Sequence, residues 1–219
     1  MILNLFEHRQ ARGTVIVIDV LRAFTTSSVL FNRGVEKIYL VKDEYIALHT
    51  KWKYPNKTII FGEKGGSLIK GFDYENSPSE MEEATVDINK NFIQRTSSGT
   101  RGSLSVSKNM DVKEIIAGSF TTASSIKNYI KDKENVYYLI TGSRTPDGGG
   151  EDVALAKFLM DQIDLNTAHK MVKESYHAKN YIKNADDIKV ALTKEYTFMQ
   201  RIHRTKNPHI LLLKKEGQT

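Results

Sequence analysis

The sequence contains no cysteine, and none of its apolar runs approaches the roughly 20 residues that a transmembrane helix requires. The absence of thiols excludes disulfide frameworks, thiolate zinc sites and cysteine-based phosphatase chemistry. Residues 1–9 have no basic segment ahead of an apolar stretch, which argues against a signal peptide. We therefore expect a soluble, cytoplasmic protein that does not use a membrane as a partner.

Several familiar motifs are also absent. The chain has no G-x-x-x-x-G-K-[ST] loop, and no G-x-G-x-x-G follows a predicted strand. It has no helix-turn-helix, zinc-finger or aromatic RNA-binding signature. The histidines show no spacing typical of metal ligands, so we predict structural or surface roles for all six: His8, His49, His169, His177, His203 and His209.

The net charge of +6 is concentrated at one end of the chain. Residues 165–219 contain eleven Lys or Arg and five Asp or Glu, whereas the two signs balance over residues 1–164. Such a basic region could attract nucleic acid or other anions. Because net charge alone says little about partners, we favour solvated faces of surface helices and do not expect nucleic-acid binding. A homodimer is a reasonable expectation for an enzyme of this size.

Short, β-branched apolar runs alternate with helical patterns along the chain. Each run is continuous, which indicates strands buried on both faces of a largely parallel sheet covered by helices. With 40% hydrophobic residues, the chain can bury a full core, so we predict one α/β domain over residues 1–219. The predicted strands are residues 15–18, 37–41, 58–61, 91–95, 114–117, 136–140 and 210–213.

Helical patterns lie between these strands. The predicted helices are residues 25–31, residues 44–52 with Asp43 as the N-cap, and residues 151–164. Beyond residue 170 we predict helices without a strand until residue 210, which makes the basic region 165–219 mainly helical. The glycine-rich stretch 62–83 is predicted to be a loop, and a loop of this length in a compact domain is often functional.

The segments after the predicted strands share a composition of Gly, Ser or Thr with a charged residue. Glycine lets backbone amides approach an anion, hydroxyls add donors, and a following helix N-terminus favours negative charge. The arginines of these segments suit phosphate or carboxylate, and their carboxylates suit Mg²⁺. The alternative is that the serines are N-caps and the acids merely favour helix starts. The charged residues concerned are Asp19, Arg22, Glu63, Arg101, Arg144, Glu151 and Asp152.

Asp19 is the hardest of these residues to explain as structural, because a carboxylate directly follows the buried run 15–18. An aspartate in this place is similar to the nucleophile of haloacid-dehalogenase-like phosphatases. Those enzymes carry a second aspartate two residues later, where this chain has Leu21. The chain therefore lacks the second aspartate, which serves as the general acid in those phosphatases.

Taken in order, the strand-end segments resemble the ComB family, the 2-phosphosulfolactate phosphatases. The family segments read approximately D-V-L-R-A-T-T-T, G-E-R-G-G, G-F-x-x-G-N-S-P, T-T-N-G-T-x-A, G-S-F-x-N-A and a Gly-rich turn ending in E-D. This chain has six matching segments in the same order. They are residues 19–26, 62–66, 71–78, 95–101, 118–123 and 150–152.

The resemblance implies a three-layer α/β/α fold, Mg²⁺ dependence and hydrolysis of (R)-2-phospho-3-sulfolactate, a step towards coenzyme M. Our leading hypothesis is metal-assisted phosphoryl transfer to water, or to Asp19 as a nucleophile. The expected metal ligands are Asp19, Glu63 and Asp152. The expected catalytic residues are Asp19, Arg22 and Glu151. The expected substrate-binding residues are Arg22, Thr25, Ser97, Ser98, Gly99, Thr100, Arg101 and Ser119.

The chain departs from the family pattern at a few positions. Glu75 stands in place of a glycine and Lys64 in place of an arginine, while Ser97, Ser98 and Thr122 replace a threonine and two asparagines. An Asn-to-Ser change alters the hydrogen bonds that a pocket can offer. The alternative hypothesis is therefore a non-catalytic protein that binds a small phosphorylated or sulfonated anion.

Overall fold

A ten-stranded sheet forms the centre of the structure, a computed structural model that describes residues 1–217. The spatial strand order is β1-β8-β2-β7-β9-β10-β3-β6-β4-β5. In chain order the strands are β1 (Ile2–Asn4), β2 (Gly13–Ile18), β3 (Lys37–Val41), β4 (Thr58–Lys64), β5 (Ser67–Leu68), β6 (Asn91–Arg95), β7 (Val112–Gly118), β8 (Val136–Ile140), β9 (Phe198–Arg204) and β10 (Ile210–Gly217).

Nine α-helices lie within the described residues. They are α1 (Ala23–Asn32), α2 (Glu44–Lys53), α3 (Pro78–Glu83), α4 (Gly99–Ser107), α5 (Ala123–Ile130), α6 (Gly150–Leu159), α7 (Leu165–Glu174), α8 (Tyr176–Asn180) and α9 (Ala185–Thr193). As predicted, the Asp43 side chain caps α2 by accepting from the amide of Tyr45. None of these helices, all within residues 1–217, has the length and hydropathy needed to cross a bilayer.

The continuous apolar runs are explained by burial on both faces of the sheet. Along β2, Val15 and Val17 belong to a core cluster shared with α1 and α4. Ile16 and Ile18 alternate with them and join a second cluster that includes residues of α5, α6 and α7. A third cluster packs α2 against β3, β4 and β6. Helices therefore cover both faces, which confirms the predicted three-layer α/β/α class.

The sheet consists of two parallel groups joined by an antiparallel hairpin. Strands β1, β8, β2 and β7 are parallel, as are β3, β6 and β4. Strands β9 and β10 pair with each other and connect β7 to β3, with antiparallel pairing at every step. The two parallel groups therefore run in opposite directions within the sheet.

The twist of the sheet explains how both groups contribute to one site. In a flat sheet, opposite directions would place the carboxyl ends of the two groups at opposite edges. Neighbouring strands, however, rotate by about 20–25°, and the six steps from β2 to β4 accumulate about 120–150°. This rotation turns the carboxyl ends of the second group back towards those of the first.

The hairpin corrects the prediction for the C-terminal region. The expectation of helices without strands between residues 170 and 210 is wrong, because β9 occupies Phe198–Arg204. Its apolar residues are interrupted by Gln200, Arg201 and His203, so no continuous apolar run marks the strand. Gln200 is fully buried and is satisfied by hydrogen bonds with the Ser27 hydroxyl and the Phe24 carbonyl.

Two other segments differ from the prediction. Helix α6 ends at Leu159 rather than at residue 164, because Asp164 instead caps α7 by accepting from the amide of Thr167. The stretch 62–83 is not entirely a loop, since β5 and α3 lie within it. Neither change moves the strand ends that carry the predicted site residues.

Candidate functional site

A cavity of about 390 Å³ lies where the carboxyl ends of the two parallel groups converge. Its volume falls within the range typical of sites for small molecules. The walls are formed by segments that follow β2, β4, β6 and β8, together with α8 and Asn76. The polar or charged residues lining it include Asp19, Arg22, Glu63, Asn76, Ser97, Ser98, Thr141, Arg144, Thr145, Tyr176, His177 and Tyr181.

Asp19 lies at the end of β2, is only 6% exposed and lines the cavity. Its Oδ1 accepts a hydrogen bond from the amide of Ala23 at 2.9 Å, which anchors the carboxylate at the start of α1. No donor within residues 1–217 reaches Oδ2. Burial raises the pKa of Asp19 to about 6, against the effect of the Ala23 amide and with a further contribution from the charge of Glu63. A buried carboxyl with this pKa can exchange protons near neutral pH.

Asp152, in the first turn of α6, is 1% exposed and connects two strand ends. Its Oδ1 accepts from the amide of Val20 at 2.9 Å. Its Oδ2 accepts from the amides of Thr141 and Gly142 and from the Thr141 hydroxyl. Burial, followed by the charges of Glu151 and Asp19, raises the pKa of Asp152. This side chain therefore fixes the segments after β2 and β8 on either side of the cavity.

Glu63 plays a similar part on the opposite wall. It lies near the end of β4 and is 8% exposed. Its Oε1 accepts from the amide of Ser97 at 2.5 Å, and its Oε2 accepts from the Ser97 hydroxyl and the amide of Gly66. The carboxylate thus connects the segment after β6 to the turn after β4.

Glu151 and His177 form a buried ion pair at the cavity. The His177 Nδ1 lies 2.5 Å from the Glu151 Oε1, and the Glu151 Oε2 is buried without a hydrogen-bond partner in the described part of the chain. Burial disfavours a charged imidazole, but the Glu151 carboxylate outweighs it and raises the pKa of His177 to about 9. The ring is therefore an imidazolium at neutral pH, which makes it a cation beside the carboxylates.

The structure places His177 in the cavity wall, whereas the sequence predicts a structural or surface role for it. It lies on the five-residue helix α8, at no motif spacing from any other candidate residue. Helix α8 is held in place by Asp147, whose carboxylate accepts from the amide of Tyr176 at 2.7 Å. No local sequence signal marks this long-range contact.

Arg22 lies in the cavity wall but already has two carboxylate partners. The peptide bond that precedes it, from Leu21, is cis. Its guanidinium donates to Asp187 at 3.0 Å and to Glu75 at 2.8 Å. Although burial disfavours its charged form, these ion pairs raise the pKa of Arg22. Neither Glu75 nor Asp187 was among the predicted site residues.

The predicted substrate-binding residues divide into two groups. Ser97 and Ser98 line the cavity, and Gly99 packs directly behind Asp19, where a Cβ would come within 2.8 Å of Oδ2. The structure does not bring Thr25, Thr100, Arg101 and Ser119 to the wall. The hydroxyls of the three buried residues bond to Val20, Thr96 and Thr121, and Arg101 is exposed.

The predicted metal ligands Asp19, Glu63 and Asp152 do not form a compact trio. Among residues 1–217, no three acidic or histidine side chains are grouped so that they could hold a metal ion. The Asp19 Oδ2 and the Glu151 Oε2 are nevertheless free of donors. Mg²⁺ is typically bound by one or two carboxylates together with water and substrate phosphate, and this pair of oxygens fits that pattern.

Comparisons with known proteins indicate the same family as the strand-end segments do. The family model for "2-phosphosulpholactate phosphatase" matches residues 1–208. Proteins named "Probable 2-phosphosulfolactate phosphatase" are similar to this chain in several bacteria. The one from Clostridium novyi (strain NT) is 26% identical over 189 residues, which cover 82% of this chain and 79% of that protein.

Two further relatives bear the same name. The protein from Bacillus subtilis (strain 168) is 30% identical over 149 residues, covering 68% of this chain and 63% of that protein. The protein from Thermotoga petrophila is 28% identical over 187 residues, covering 77% of this chain and 78% of that protein. The chain therefore belongs to the 2-phosphosulpholactate phosphatase family, a family of hydrolases that act on phosphate monoesters.

Proposed function

We propose that this chain hydrolyses the phosphate ester of a small 2-hydroxy acid, with (R)-2-phospho-3-sulfolactate as the substrate and Mg²⁺ as the cofactor. The observation that carries the proposal is Asp19, a buried carboxylate that lines a cavity of metabolite size and has one oxygen that no donor within residues 1–217 reaches. The names of the relatives support the choice of substrate.

The charge of the cavity supports a metal ion. Four carboxylates line it or stand directly behind its wall, namely Asp19, Glu63, Glu151 and Asp152. The positive charge of Arg22 is already matched by its partners. Of the other cations at the cavity, His177 is paired with Glu151, and Arg144 alone leaves the carboxylates in excess, so a phosphate dianion gains from an accompanying cation. Mg²⁺, held by Asp19 and Glu151, would supply charge stabilisation for the phosphoryl oxygens.

The chain's own residues suggest where the phosphoryl group binds. Ser98 is the N-cap of α4, and its side chain makes no capping hydrogen bond. The amides of Ser98 and Gly99 have no acceptor within residues 1–217, and they lie beside Asp19 at a helix N-terminus, which favours anions. The imidazolium of His177 would donate to a phosphoryl or leaving-group oxygen. Asp19 would act as general base or as nucleophile, a choice that acid-quench trapping of a phosphoenzyme would decide.

The test is a phosphate-release assay on purified protein with (R)-2-phospho-3-sulfolactate and related phosphorylated 2-hydroxy acids. We expect phosphate release with Mg²⁺ and at least a tenfold loss, on the order seen for metal-assisted hydrolysis, after EDTA treatment. Recovery on adding Mg²⁺ controls for damage by the chelator. Activity unaffected by EDTA would remove the metal, and tight binding of the ester without phosphate release would favour the non-catalytic alternative.

His177→Gln is expected to lower kcat by about 10- to 100-fold, because it removes a positive charge from the reacting region while leaving a hydrogen-bond donor. The substitution also leaves Glu151 without its cation, so the affinity for Mg²⁺ is expected to rise. Steady-state kinetics and Mg²⁺ titration measure both effects. The matched control is His169→Gln, since His169 packs against Phe120 away from the cavity. Equal activity of the two variants would refute the role of His177.

The basic C-terminal region contributes to the proposed site, and this role does not require nucleic-acid binding. It contributes His177 to the cavity and Asp187 to Arg22, and its hairpin connects the two halves of the sheet. The cytoplasmic location, the homodimer and the absence of nucleic-acid binding stay predictions. A filter-binding measurement at low salt would test the last of these, because phosphate contacts depend steeply on salt.

A further inference from the structure

The two carboxylates that pair with Arg22 differ in how firmly they are held. Asp187 is fully buried on α9. Its Oδ1 accepts from the hydroxyls of Ser77 and Ser79, both at 2.6 Å, and from the amide of Ser79. Asp187 is therefore a fixed counter-ion that holds the guanidinium in the cavity wall.

Glu75 is held only by Arg22. Its side chain is 32% exposed, and one oxygen accepts from the guanidinium at 2.8 Å. No other donor within residues 1–217 reaches this carboxylate. Glu75 can therefore leave Arg22 at the cost of one partly exposed ion pair, whereas Asp187 cannot leave without exposing four buried donors.

The second carboxylate makes the cluster around Arg22 negative overall. One carboxylate is enough to neutralise a guanidinium, and Asp187 already does so. With Glu75 also present, the cluster carries a net charge of −1 in the wall of the cavity. An acidic group of a substrate can reach Arg22 only by displacing Glu75 or by lying beside it, and like charges placed side by side are unfavourable.

We propose that Glu75 is a specificity-determining residue that competes with an acidic group of the substrate for Arg22. The inference rests on the proposed function, because it assigns Arg22 to a carboxylate or sulfonate rather than to the reacting phosphoryl group. The proposed function assigns the phosphoryl group to Asp19 and the start of α4, while Arg22 lines the same cavity and is held by carboxylates from two other segments. Glu75 therefore favours esters that carry fewer acidic groups besides the phosphate.

The experiment compares Glu75→Gln with the unaltered chain on two substrates. One is 2-phospho-3-sulfolactate, with two acidic groups besides the phosphate, and the other is phosphoglycolate, with one. We expect the ratio of kcat/KM for the first substrate over the second to rise about tenfold, mainly through KM, because a competing charge is removed from a partly exposed ion pair. Glutamine keeps the size of the side chain and its oxygen acceptor.

The matched control is Glu80→Gln. Glu80 is exposed, and burial and the charges of Glu75 and Asp187 raise its pKa, so it lies near the same cluster. It makes no ion pair with Arg22, and its carboxylate accepts from the backbone amide of Glu75, a bond that a glutamine oxygen can keep. Its replacement changes the net charge equally. The control ratio is expected to stay within about twofold of the unaltered chain, since an exposed charge outside an ion pair contributes little.

A binding measurement separates this inference from the proposed function. Calorimetry with 3-sulfolactate and Mg²⁺ is expected to show about tenfold tighter binding to the Glu75→Gln variant, on the same charge argument. A chain inactive on every ester would refute the proposed function, while calorimetry would still decide the role of Glu75. An unchanged substrate ratio with unchanged 3-sulfolactate affinity overturns the inference. So does weaker binding by the variant, which would show that Glu75 only orients Arg22.

Discussion

Asp19→Asn is expected to lower phosphate release by at least about a thousandfold and, in metal-free buffer, to raise the stability of the folded chain. The activity falls because asparagine at the reacting centre can neither take up a proton nor act as a nucleophile, and it is a poor ligand for Mg²⁺. The fold is expected to tolerate the change. The amide oxygen can still accept from Ala23, and the NH₂ group takes the place of Oδ2, which no donor within residues 1–217 reaches.

The gain in stability follows from the sign of the pKa shift. Burial raises the pKa of Asp19 from 3.8 to about 6, so the folded state favours the protonated carboxyl. The protonated Asp19 carboxyl stabilises the folded state fully below pH 3.8, and this stabilisation is lost as the pH rises through about 6. At pH 8 the ionised carboxylate therefore costs about 2–3 kcal/mol, a penalty that the neutral amide avoids.

Thermal unfolding of both chains in EDTA at pH 8, together with phosphate release in Mg²⁺, tests the two effects. Asp132→Asn is the control, because Asp132 is exposed and its replacement alters the net charge equally. The gap between the unfolding temperatures of Asp19→Asn and the unaltered chain should close as the pH falls towards 4. A variant that is less stable at pH 8, or that retains activity, contradicts the assignment of Asp19 as a buried catalytic carboxylate.

The position of Asp19 could be predicted because both signals that define it are local. Residues 15–18 form an uninterrupted β-branched run, and a carboxylate at the end of such a strand stands at the edge of the sheet. The same reasoning fails at Ser119, which follows β7. The chain leading into β9 covers that strand end, since the amide of Tyr196 donates to the Thr121 carbonyl. Tyr196 and Thr121 are 75 residues apart in the sequence, so no local sequence pattern predicts this contact.

The roles of His177, Glu75 and Asp187 could not be predicted for a related reason, although Glu75 stands out as a departure from the family pattern. Each reaches the site through a contact with a distant segment, and a short helix or loop carries no periodic pattern that would point to it. The direction of the strands was equally hidden. The sequence indicates buried strands of a largely parallel sheet, but the reversal between the two parallel groups depends on β9, whose buried Gln200 is satisfied only in the tertiary fold.

Asp152→Ala is the substitution that we expect to destabilise the chain most. Asp152 satisfies the buried amides of Val20, Thr141 and Gly142, which come from two different strand ends. Removing the carboxylate leaves the amides of Val20 and Gly142 without an acceptor, whereas the Thr141 amide still donates to the Ile18 carbonyl. Each unsatisfied buried group costs about 1–3 kcal/mol. Partial hydration of the space left behind reduces the total to about 2–4 kcal/mol, which corresponds to a fall of about 10 °C in the unfolding temperature.

Glu151→Ala is the matched control for this prediction, because Glu151 is adjacent on α6 and equally buried. Its Oε2 has no partner among residues 1–217, and its Oε1 contacts only His177, which is 20% exposed and can be solvated. We therefore expect Glu151→Ala to change the free energy of unfolding by less than about 1.5 kcal/mol, although it should weaken Mg²⁺ binding. Chemical denaturation in EDTA compares the two variants without interference from the metal. Equal destabilisation would contradict the role of Asp152 in organising the cavity walls.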